Sequence, residues 1–110
     1  MRKGMRTAYA LIYAYKRGAI EQGTEITQKQ DRLIRMLAAD LDVATEGLDI
    51  GTIVGRVAQA DTRWNRETMA ALCDFHDLRT AGSEEEAEAV RARFLSRCPS
   101  VWYFGVLTDL

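Results

Sequence analysis

At 110 residues, with 47 % apolar and 28 % charged side chains, the chain has the size and balance of one small globular domain that can fold without disulfides or metal. Its longest uncharged runs, Thr7–Tyr15 and Cys98–Thr108, are shorter than the about 20 residues a membrane-spanning helix needs, which excludes such a helix there. The formal net charge of −1 hides a split: the first twenty residues hold five basic side chains and no acidic one, while the remainder is acidic.

The N-terminal stretch places Arg2, Lys3 and Arg6 before an apolar run, as a signal peptide does. That run is tyrosine-rich, ends at Lys16-Arg17 and offers no small-residue cleavage site, so it reads as part of the fold. Apolar spacing predicts a first helix from about Met5 to Gln22, with Met5, Ala8, Leu11, Ile12, Tyr15 and Ala19 on its buried face and Gly23 as its stop. Thr27 and Gln30 form a capping-box pattern for a second helix, which buries Leu33, Ile34, Leu37 and Leu41 and breaks at Thr45-Glu46-Gly47. Asp49 caps a third, with Ile50, Ile53, Val54 and Val57 inward. A fourth begins at Asp61 or Thr62, with Trp64, Thr68, Ala71, Leu72, Phe75 and Leu78 as its stripe, and closes at Gly82. Ser83 and Glu86 suggest a second capping box for a fifth helix, which buries Ala87, Val90 and Phe94 and ends at Pro99. The apolar segment that follows fits either a strand or a short helix. The expected fold is an all-α, single-domain bundle of about five helices spanning 1–110, with an apolar C-terminal segment.

Winding residues 2–20 at about 100° per residue puts Arg2, Lys3, Arg6, Lys16 and Arg17 within roughly a 140° arc. Tyr9 and Tyr13 fall inside it. Cations with interleaved aromatic rings suit an acidic protein surface, where tyrosine and arginine are strong anchors. They also suit a nucleic acid, where cations meet phosphates and rings stack on bases. The plainer alternative is internal neutralisation, with Glu84, Glu85, Glu86 and Glu88 as the acidic neighbour. Trp102, Tyr103 and Phe104 form the densest aromatic cluster, either a tail wrapping the bundle or a seam for a partner or second copy.

The residues from Leu37 to Ala44 resemble the first helix and turn of a DNA-binding helix-turn-helix. Thr52, Arg56, Gln59, Arg63 and Arg66 would then read a major groove. The connection up to Asp49 is longer than such a turn, and Gly51 and Gly55 weaken a recognition helix. Gly51-x-x-x-Gly55 reads equally as a place where another helix approaches closely.

Catalytic chemistry is sparse. His76 is the only histidine, and Cys73, His76 and Cys98 are too few for a zinc site without an added carboxylate. The expectation is a buried Cys73 beside an exposed His76. Asp40-x-Asp42-x-x-x-Glu46 lacks the glycine and terminal glutamate of a calcium loop. Asp74 and Asp77 share a helical face that is expected to be solvated, and no phosphate-binding glycine loop is present. Two cysteines and no secretory pattern favour a reducing cytoplasm.

These features lead to a non-enzymatic interaction protein, a small regulator or inhibitor without metal or cofactor. It is expected to dock on an acidic protein through Tyr9, Tyr13, Lys16 and Arg17, with Trp102 as a further contact or homo-oligomer seam. The alternative is a DNA-binding regulator using Thr52, Arg56, Gln59, Arg63 and Arg66.

Overall fold

The computed structural model describes residues 4–21 and 24–110. Among them the chain is all-α, with helices α1 (Met5–Lys16), α2 (Gln28–Asp40), α3 (Ile50–Thr80), α4 (Glu84–Arg97) and α5 (Val101–Thr108). No helix of the described residues is long and apolar enough to cross a membrane. The chain divides into two compact units, Met1–Asp61 and Thr62–Leu110, so α3 contributes to both.

In the first unit α1 packs on α2. The burial follows the helical period: Met5, Ala8, Ile12 and Tyr15 on α1, then Ile34, Leu37 and Ala38 on α2. Ile53, Val54 and Val57 of α3 are buried as well. Each fully buried Ile or Leu contributes about 1.5–3 kcal/mol of transfer free energy.

The first helix stops earlier than its periodicity predicts. Gly18 adopts φ 78°, its N–H donates to the Tyr15 carbonyl at 3.2 Å, and the Ala19 N–H donates to the Ala14 carbonyl at 2.9 Å. These paired bonds satisfy the last carbonyls as a Schellman stop, which glycine permits without a Cβ clash. Ala19, expected on the buried face, is therefore exposed beyond the helix end. Gln22 and the expected stop Gly23 lie outside the described residues, as do Arg2 and Lys3.

Thr27 caps α2 as its sequence predicts. Its hydroxyl accepts from the Gln30 N–H at 3.1 Å, and the Gln30 side chain accepts from the Thr27 N–H at 3.0 Å. The helix ends before Thr45-Glu46-Gly47, because Asp42 takes the left-handed conformation (φ 58°) and Val43 donates back to the Ala38 carbonyl at 2.8 Å. Asp49 caps α3, accepting from the Thr52 N–H at 2.8 Å.

The predicted third and fourth helices are one. No glycine or proline interrupts residues 56–80, and the apolar spacing runs on through Ile53, Val57, Trp64, Thr68 and Phe75. Asp61, expected to start a new helix, lies within α3 and its carboxylate is engaged elsewhere.

In the second unit α3 and α4 form a helical hairpin closed at Gly82. Trp64 meets Phe94 edge-to-face, with centroids 6.2 Å apart. The Arg79 and Arg91 guanidinium groups lie 5.5 and 5.3 Å from the Phe75 centroid, and both also pair with acids, Glu84 and Glu88. The expected Ser83–Glu86 capping box is not formed. It requires the Ser83 N–H, which already donates to the Leu78 carbonyl at 2.8 Å. The apolar tail resolves as α5: Ser100 accepts from the Tyr103 N–H at 3.1 Å, and Tyr103 and Leu107 are buried one turn apart.

Candidate interaction surface

The outer face of α1 carries Arg6, Ala10, Tyr13 and Arg17 at i, i+4, i+7 and i+11, all exposed. Tyr13 is 61 % exposed, the highest value among the exposed large apolar residues. The Arg17 guanidinium lies 5.5 Å from its ring centroid. A cation over an exposed ring restricts both side chains and leaves the guanidinium edge open to an acceptor. Among the described residues neither Arg6 nor Arg17 forms an ion pair.

Two members of the predicted set belong to the interior instead. Tyr9 is 7 % exposed, and its hydroxyl donates to the Asp40 carboxylate at 2.6 Å, tying α1 to α2. It lies at the edge of the arc nearest the core, where the hydroxyl finds a buried acceptor. Lys16 donates to Asp61 Oδ2 at 2.8 Å, with side-chain exposures of 26 % and 8 %. The neutralising neighbour of Lys16 is thus Asp61, not the glutamates that open α4. Two of those, Glu84 and Glu88, pair with arginines of their own unit.

Both acidic partners leave a trace in the sequence. Asp61 sits at i+4 from Val57 and i−3 from Trp64, on the apolar face of its helix, and Asp40 follows Leu37 by three. A carboxylate on a core-facing stripe requires a donor from elsewhere in the fold.

Thr52, Arg56 and Gln59 are exposed at i, i+4 and i+7 on α3. The Asp49 carboxylate occupies the start of the helix, held below its ordinary value of 3.8 by hydrogen bonds from the Thr52 backbone and side chain and from Gly51. In the second unit Arg63 and Arg66 are exposed, but Arg63 lies over Trp64 and 3.7 Å from Glu67. The nine-residue connection between α2 and α3 exceeds a helix-turn-helix turn. Gly55 is not a close-approach site either: a Cβ there would meet nothing within 4 Å.

Trp102 is half-buried, while Val101 and Phe104, one turn apart, are the exposed apolar residues of α5. Cys73 is exposed rather than buried, and so is His76, one turn along α3. No group of three or more metal-ligating side chains occurs among the described residues. Comparison with protein families, with curated proteins and with solved structures gives no match.

Proposed function

We propose that the protein is a non-enzymatic interaction module, a small cytoplasmic regulator or inhibitor that docks on an acidic protein surface through the outer face of α1. The observation that carries this reading is the Tyr13–Arg17 pair: a largely exposed aromatic ring with an arginine stacked on it and no carboxylate holding that arginine. Tyrosine and arginine dominate binding energy at protein interfaces because each combines a large contact area with directed hydrogen bonding. Here the ring and the cation are already arranged together, which lowers the side-chain ordering cost on association. Arg6, two turns before Tyr13 on the same exposed stripe, adds a second cation.

The test is a titration of a fluorescently labelled oligoglutamate peptide and of a labelled random-sequence DNA duplex, at low and moderate salt. Wild type is compared with Tyr13→Ala/Arg17→Glu and with Arg56→Glu/Arg66→Glu. Peptide binding that is lost only in the α1 variant supports the proposal. Tighter binding to duplex, with steep salt dependence and loss in the α3 variant, replaces it with the DNA-binding alternative. Absence of binding to either probe at low salt overturns the anionic-partner reading.

A further inference from the structure

The second unit carries a groove along one flank of the α3–α4 hairpin, with a volume of about 440 Å³. Each helix lines it with residues spaced i, i+3, i+4 and i+7, which is the seam one helix presents to others packed alongside it. Its apolar lining is Ala71 and Val90 together with the buried Phe94. Ala70 keeps the α3 wall low, so that a neighbouring backbone can come close.

The two walls differ in charge. The α3 wall carries Glu67 and Asp74, and the α4 wall carries Arg93 and Arg97. Glu67 and Arg97 satisfy one another across the groove at 3.1 Å. Asp74 and Arg93 are exposed, and among the described residues neither has an ion-pair partner.

We propose that this groove is a self-association surface, occupied by the same hairpin of a second copy of the chain related by a two-fold axis. An acidic wall beside a basic wall is self-complementary under that symmetry. The operation that sets α3 of one copy against α4 of the other brings each Asp74 to an Arg93 and each Arg93 to an Asp74. The apolar linings then close on each other as the centre of a four-helix arrangement, with the Glu67–Arg97 pairs at its rim. A partner of one charge sign would match one wall and be repelled by the other.

Sedimentation equilibrium of the full chain, from low to high micromolar concentration, tests this with three variants: Asp74→Arg, Arg93→Asp, and the double exchange. Both positions are exposed, and far-UV circular dichroism verifies that each variant is folded. Each single reversal places like charges opposite one another twice per dimer, and is expected to weaken self-association by about tenfold or more. The double exchange restores it. An equimolar mixture of the two single variants forms a heterodimer, because at positions 74 and 93 one variant then carries arginine twice and the other aspartate twice. A wild type that stays monomeric throughout overturns the proposal. So does a dimer indifferent to the single reversals, or single variants that neither the double exchange nor the mixture rescues.

Discussion

Replacing Gly55 by alanine is expected to stabilise the protein. Gly55 is in the interior of the 31-residue helix α3, and a Cβ built there meets no atom within 4 Å. The glycine therefore brings no packing advantage to offset its conformational cost, which in a helix interior is about 1 kcal/mol relative to alanine. With a urea dependence of about 1–3 kcal/mol per molar, that gain moves the unfolding midpoint upward by roughly 0.3–1 M. Far-UV circular dichroism is the appropriate probe, because every helix contributes to it. Tryptophan fluorescence reports on Trp64 and Trp102 alone, both in the second unit, whereas Gly55 lies in the first. Gly51→Ala is the control. Its Cβ would meet Asp49 Oδ1, the oxygen that caps the helix, at 3.4 Å, an ordinary contact, and in the first turn of α3 the propensity gain is smaller than in the interior. A lowered midpoint for Gly55→Ala would refute the reasoning, since it would mean that another group approaches Gly55 closely and that Gly51-x-x-x-Gly55 is a packing motif after all.

Tyr9→Phe removes the buried donor to Asp40 and is expected to destabilise by about 1–3 kcal/mol in urea melts, whereas Tyr13→Phe should change stability by less than about 0.5 kcal/mol. Asp42→Gly relieves a left-handed residue at the end of α2 and should stabilise by about 0.5–1 kcal/mol by the same measurement. Asp49 has a folded-state pKa below 3.8, so its contribution to stability is fully present above that value and is lost as pH falls through the lower folded value. Stability measured from pH 5 down to acid should therefore decline less steeply in Asp49→Asn, which keeps a capping oxygen but not the titration.

The helices were legible in the sequence because they rest on local periodicity. Met5, Ala8, Ile12 and Tyr15, and Ile34, Leu37 and Leu41, are buried as their spacing requires, while Leu11 and Leu33, expected on the same faces, are half-buried. Termination was less legible. Gly18 and Asp42 both end helices through left-handed backbone geometry, and neither position differs in composition from residues that the chain passes through without stopping. The fusion of two predicted helices into α3 turned on Asp61, a good capping residue by type. Its carboxylate is held by a lysine 45 positions earlier, a contact that no local window contains.

That same contact divides the basic arc. On a helical projection Lys16 and Arg17 are neighbours of one chemical kind, yet the fold assigns them opposite roles. Lys16 holds a mostly buried carboxylate, so Lys16→Met should cost about 1–3 kcal/mol of stability by removing that charged donor. Arg17 lies over the exposed Tyr13 ring with no carboxylate, so Arg17→Met should leave the unfolding midpoint within the range of ordinary surface substitutions. If α1 is the docking face, binding follows the opposite order: Arg17→Met weakens it in proportion to the lost cation, and Lys16→Met weakens it only as far as the helix loosens. Measuring midpoint and affinity for both variants separates the roles. Equal loss of stability in the two would mean that Arg17 has a structural partner and that the exposed stripe of α1 is not available for docking.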